Sequence, residues 1–198
     1  MQRAILLFVL LALLASSVSA HFILTYPVSR GFDEDMEPTS PCGSFNTLQN
    51  RTLFPISSGF VEINSGHVKA TLQINIIFSS NPQTTDFSAA ANSSASVKTN
   101  VDHPGFSCVP FDLSANSLAK NGTNATIQAV FNSGEESTLY QCTDVILSTS
   151  ASNWNSSACI NAGNSSGNST TPSKSDAAAL MQHGFVAILV VVVLAINL

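Results

Sequence analysis

A histidine that becomes the first residue of a chain offers two metal-binding nitrogens, its α-amine and its imidazole Nδ1, which together close one compact chelate ring. His21 is placed to become such a residue. Arg3 gives a basic start, Ala4 to Ala15 an apolar stretch, and Val18-Ser19-Ala20 a small-x-small cleavage site. This is the make-up of a secretory signal peptide over residues 1–20. Cleavage after Ala20 would free the amine of His21. One further imidazole would complete a T-shaped set of three nitrogens, and tetragonal nitrogen-rich sites suit Cu(II).

Two other histidines, His67 and His103, lie in the mature segment, and His183 falls near the C-terminus. His67 belongs to Asn64-Ser65-Gly66-His67-Val68, a turn that opens a long apolar run. A histidine at the mouth of a strand is held by backbone on one side and open on the other, which suits a ligand. A carboxylate could join the two histidines. Pro27 to Arg30 can turn the chain back along the first strand, returning Asp33 or Asp35 of the run Arg30-Gly31-Phe32-Asp33-Glu34-Asp35-Met36-Glu37 toward His21. Asp86 and Asp102 are further candidates. The spacing of the acidic run is not that of an EF-hand loop.

The C-terminus is equally legible. Phe185 to Leu198 is an apolar run of about 14 residues, short of the roughly 20 that span a bilayer. A mixed spacer, Ala178 to Gly184, precedes it, and small residues lie at Ser175, Asp176 and Ala177. This is the pattern of a GPI-attachment signal, with the anchor expected on Ser175 or Asp176 and residues 177–198 removed. Residues 151–176, rich in Ser, Asn, Gly and Thr, read as a glycosylated stalk. Cys159 could tie the start of that stretch back to the domain.

The remaining domain, residues 21–150, carries Cys42, Cys108 and Cys142, with Cys159 beyond it. Four cysteines in a secreted chain imply two disulfides, with three connectivities open. Sequons at Asn50, Asn92, Asn121, Asn124, Asn155, Asn164 and Asn168 suit a heavily glycosylated surface protein. A formal net charge of −5 and a charged fraction of 10% give no basic patch for nucleic acid.

Strand-like runs rich in Val, Ile, Phe, Thr and Tyr occur at Phe22-Tyr26, Gly59-Asn64, Val68-Phe78, Phe106-Leu113, Ala125-Phe131 and Leu139-Leu147. Ser, Asn, Gly and Pro clusters separate them. Ile127, Ala129 and Phe131 alternate onto one face, and no segment sustains a helical period. The expected fold is all-β, an immunoglobulin-like antiparallel β-sandwich. GxSxG, HExxH and P-loop motifs are missing, and cysteines expected in disulfides supply no thiol nucleophile.

Several motifs then agree in order: His21-Phe-Ile-Leu-Thr-Tyr-Pro-Val-Ser-Arg-Gly-Phe, Pro41-Cys42-Gly43, Asn64-Ser-Gly-His67, Asn124-Ala-Thr-Ile-Gln128 and Leu139-Tyr-Gln-Cys-Thr-Asp144. Together they resemble the fungal LPMO-like copper proteins, which include GPI-anchored copper-acquisition factors. The resemblance implies an LPMO-like sandwich and a histidine brace of His21 and His67. It also implies that an aspartate, Asp35 or Asp33 here, joins one copper ion. Tyr140 falls one position from the axial tyrosine of lytic monooxygenases, so a core or interface role is expected for it. The implied function is copper binding and acquisition by a monomer at the extracellular face of the plasma membrane or in the cell wall. A plasma-membrane copper transporter would be its partner, and no polysaccharide is cleaved. The alternatives are a copper-dependent polysaccharide monooxygenase and a metal-free structural wall glycoprotein.

Overall fold

The computed structural model describes residues 21–134 and 137–162. The chain divides after Asn164, and these residues belong to the first compact unit. The signal peptide, the sequons at Asn164 and Asn168, the later part of the stalk range and the GPI signal with Ser175 and Asp176 lie outside the described residues. Among the described residues no helix is long and apolar enough to cross a membrane.

Two sheets form the domain. The smaller holds β1 (Phe22–Tyr26), β3 (Phe60–Ser65) and β6 (Gly105–Pro110) in the order β1-β3-β6. The larger holds β2 (Thr52–Pro55), β4 (Ala70–Ile77), β5 (Val97–Val101), β7 (Asn124–Asn132) and β8 (Leu139–Ser148) in the order β2-β8-β7-β4-β5. All pairings are antiparallel except β2 with β8, which is parallel. The architecture is the expected immunoglobulin-like β-sandwich with this one parallel edge strand.

Between the sheets lies an apolar core. Phe22, Leu24, Val61 and Ile63 from the small sheet meet Leu72, Ile74, Ile127, Ala129, Phe131, Val145 and Leu147 from the large one. The alternation seen in β7 is the inward face of this layer. Its opposite residues are also buried, Thr126 fully and Gln128 nearly so. They are covered because the long β1–β2 connection crosses the outer face of the large sheet. The Gln128 side chain donates to Pro41 C=O at 2.8 Å, and Cys42 is joined to Cys142. Arg30 reaches in to pair with Asp144 at 2.8 Å, both side chains being almost wholly buried. A short helix, α1 (Thr84–Ala90), adds Phe87 and Ala90 to the same cover. Its first turn uses Asp86 as a cap: the carboxylate takes the Gln83 N–H at 2.8 Å.

Sequence reading missed β2, β5 and α1. Each is short, and Val97–Val101 interleaves apolar and polar residues too briefly to stand out. The second disulfide joins Cys108 to Cys159. With it, the start of the stalk range, residues 151–162, is tied back to the domain, as expected of Cys159. Trp154, assigned to the stalk from sequence, sits against the core beside Phe54, Phe60 and Tyr26, with ring centroids 4.7–5.0 Å away. Glu62 secures the same segment by accepting the Ile160 N–H at 2.8 Å.

Candidate metal centre

His21 stands immediately before β1, at the end of the small sheet where Phe22 pairs with Ser65. The antiparallel ladder therefore carries the turn after Ser65, and with it His67, to the same end of the sheet. Ser65 also shapes that turn: its hydroxyl oxygen accepts the His67 N–H at 3.1 Å. The His67 ring is buried against Phe131, centroids 5.5 Å apart, and Phe131 stacks in turn on Phe22 at 5.0 Å. One core phenylalanine thus buttresses both His67 and the residue after His21.

The segment expected to return toward His21 does return. Its backbone closes a helical turn, with the N–H groups of Met36 and Glu37 both donating to Asp33 C=O. Residues three apart on such a turn share a side. Glu34 and Glu37 accordingly face His21, with carboxylate oxygens 4.0 Å from its Nδ1 and Nε2. Asp33 and Asp35 are exposed, and Asp33 Oδ1 takes the Asp35 N–H at 3.0 Å. Sequence reasoning identified the segment but chose other carboxylates on it. The turn's period, had it been recognised, would have paired Glu34 with Glu37.

The His21 ring has a defined proton. Its Nε2 lies 3.0 Å from the backbone oxygen of Glu34. A carbonyl only accepts, so Nε2 carries the hydrogen, and in the neutral ring Nδ1 keeps its lone pair. A metal-ligating histidine ordinarily donates its other ring N–H in this way. Nδ1 is also the nitrogen that forms a chelate with the residue's own amine.

Glu37 is the most unusual group nearby. It is 1% exposed. Gln141 Nε2 donates to its Oε1 at 2.7 Å, and the Phe22 N–H also donates to the carboxylate. Oε2 has no hydrogen-bond partner. Burial pushes the carboxyl up to about 7; the bonds from Gln141 and Phe22 pull it down, and the charge of Glu34 adds to the rise. Gly43 lets this segment lie close against β8. Its φ is +58°, and a Cβ there would fall 2.7 Å from Tyr140 C=O. Tyr140 itself is half-buried and donates its N–H to Glu37 C=O at 2.9 Å.

The other candidates lie elsewhere. Asp102 is exposed and stands 4.0 Å from His103, in a loop lining a polar cavity of about 300 Å³ with Ser107 and Asn161. Asp86 caps α1. Among the described residues no three His, Cys, Asp or Glu side chains form a ready metal cluster. The nitrogen donors among these residues that suit copper are the imidazoles of His21 and His67.

Comparison with known proteins agrees with this chemistry. The family described as "Copper acquisition factor BIM1-like" matches residues 19–164. The copper acquisition factor BIM1 of Cryptococcus neoformans var. grubii is 40% identical over 141 residues, covering 69% of this chain and 64% of that protein. The lytic polysaccharide monooxygenase-like protein X325 of Hypocrea jecorina is 33% identical over 154 residues, 68% of this chain and 66% of that protein. The match spans a little under two thirds of the BIM1 relative's length. Among solved structures, an AA10 lytic polysaccharide monooxygenase from Streptomyces lividans aligns with TM-score 0.43 at 14% identity, over 64% of this chain and 99% of that one. By the extent of the family match, the chain belongs to the BIM1-like copper acquisition factors.

Proposed function

We propose that the mature protein begins at His21 and binds one Cu(II) ion as cargo in a histidine brace. The donors are the His21 amine, His21 Nδ1 and the His67 imidazole. The observation that carries this is the hydrogen bond from His21 Nε2 to Glu34 C=O, which reserves Nδ1 for a metal. Asp33 and Asp35 lie outside this donor set, since it is Glu34 and Glu37 that the turn aims at the ring. The protein captures extracellular copper and passes it to a plasma-membrane transporter. It acts as a monomer, tethered by a GPI anchor on Ser175 or Asp176 at the outer face of the cell, and carries glycans on its exposed sequons. Asn50, Asn92, Asn121 and Asn155 are exposed, which suits that role.

Polysaccharide cleavage is not part of this reading. Trp154 and Tyr26, aromatics that could stack on a sugar, are half-buried with their rings against Phe54 and Phe60. The test is N-terminal sequencing of the secreted protein followed by copper titration with EPR detection. A new N-terminus at His21 and one tight, nitrogen-rich Cu(II) signal are expected. An extra residue before His21, or weak binding without a defined signal, overturns the proposal. Incubation with a glycan panel, reductant and peroxide should release no oxidised oligosaccharides.

A further inference from the structure

We infer that Glu37 is the positioning residue for His21, holding the imidazole and the start of β1 in the geometry that copper requires. This rests on the copper-brace reading and adds to it a residue that never touches the metal.

Three observations carry it. First, one oxygen of the Glu37 carboxylate is spent on the framework: Oε1 takes the Gln141 amide, and the carboxylate takes the N–H of Phe22, the residue next to His21. Gln141 also accepts the Leu24 N–H at 3.0 Å and donates to Phe22 C=O, so Glu37 and Gln141 together grip β1 at Phe22 and Leu24. Second, Oε2 is buried without a hydrogen-bond partner and stands 4.0 Å from His21 Nε2. A buried polar atom left without a partner is costly, so its retention beside an imidazole calls for a compensating role. Third, the ring N–H of a metal-bound histidine becomes a stronger donor, and a carboxylate beside it fixes the tautomer and raises the ligand's basicity. Copper held on Nδ1 would bring positive charge to a ring whose Nε2 faces this carboxylate.

Glu37→Gln keeps the shape and removes the charge. Three preparations are compared by Cu(II) titration and EPR: the processed wild type, Glu37→Gln, and Asp35→Asn, which removes an equal charge from the exposed side of the same turn. Glu37→Gln is expected to weaken Cu(II) binding by about 10–100-fold and to change the EPR hyperfine pattern. Asp35→Asn is expected to change affinity by less than about threefold, because an exposed charge is screened by water. Equal affinity and an equal spectrum for wild type and Glu37→Gln overturn the inference, as does an equal loss in both variants. Should Glu37→Gln not fold, the wild type still answers: the Glu37 carboxyl ¹³C resonance must move when one equivalent of Cu(I) is added, and a stationary resonance overturns the inference. In the metal-free protein, ¹⁵N signals of His21 must report the Nε2–H tautomer held by Glu34 C=O in both proteins, with the ring resonances shifted in Glu37→Gln. Unaltered signals overturn it. A wild type that binds no copper removes the brace reading, while the metal-free imidazole signals still decide the role of Glu37.

Discussion

Gln141 and Glu37, 104 residues apart in sequence, are joined by a 2.7 Å hydrogen bond in the buried space between β8 and the start of β1. Gln141 is a polar residue on the inward face of β8, among Leu139, Val145 and Leu147. Its amide is fully engaged there with Phe22, Leu24 and Glu37. Replacing it by leucine would strand three buried partners. Gln141→Leu is expected to cost about 2–4 kcal/mol in urea unfolding of the metal-free protein. An unchanged unfolding midpoint would show that the network does not stabilise the fold.

In the proposed brace, the amine is the part that processing alone would create. Adding a single glycine before His21 moves the amine one residue away and replaces the compact ring with a different chelate that runs through the intervening amide. The EPR spectrum of the Cu(II) complex should change with the unfolding midpoint unchanged, and His67→Ala should weaken Cu(II) binding by about 10–100-fold. Competition with a chelator of known strength reads the change in affinity.

Asp144 makes stability depend on acid. Burial by itself would raise its carboxyl, but bonds from Arg30, the Gln49 N–H and Thr126, with the charge of Arg30, outweigh this and hold it below its ordinary value of 3.8. A carboxyl whose folded value lies below its unfolded one contributes stability that is fully present above 3.8. That contribution is lost as pH falls through the lowered folded value. Stability measured from pH 6 down to 2 should decline below 3.8, and Asp144→Asn should flatten that decline. Arg30→Met, which leaves the aspartate buried without its cation, should cost about 3–5 kcal/mol at pH 7. A flat acid limb in the wild type would refute the assignment.

The two disulfides should separate by their effects. Cys42–Cys142 closes a span of 100 residues and pins the segment that carries Glu37 onto β8. Its removal should cost about 4–5 kcal/mol by chain entropy and weaken copper binding as well. Cys108–Cys159 holds the segment bearing Trp154. Because the chain has a single tryptophan, Cys108→Ser with Cys159→Ser should raise acrylamide quenching of its fluorescence while leaving Cu(II) affinity within about threefold. Quenching equal to that of the wild type would show that Trp154 is held by packing alone.

Gly43 tests how closely that segment must lie. Gly43→Ala places a Cβ against Tyr140 C=O in a backbone conformation that side chains resist. A loss of about 1–3 kcal/mol is expected, together with weaker copper binding as Glu37 shifts. Thermal unfolding and copper titration measure the two effects.

Local pattern was enough for the all-β class and for most strands, because strand periodicity and turn residues act within a few positions. Chemistry alone pointed to His21 and His67 as candidates, and the antiparallel ladder brings them to one end of the small sheet. Membership in the copper-acquisition family was legible too, through motifs spread along the chain. Three matters needed the tertiary structure. The disulfide pairing depends on which segments are laid against β6 and β8, not on spacing. Trp154 looked like part of a polar stalk until its ring was seen packed against the core, because low complexity around a residue does not say what that residue packs against. The carboxylates at His21 proved to be Glu34 and Glu37, because a single helical turn decides which of five neighbouring residues face inward. Glu37 owes its unusual state to Gln141 and Phe22, partners that only folding brings beside it.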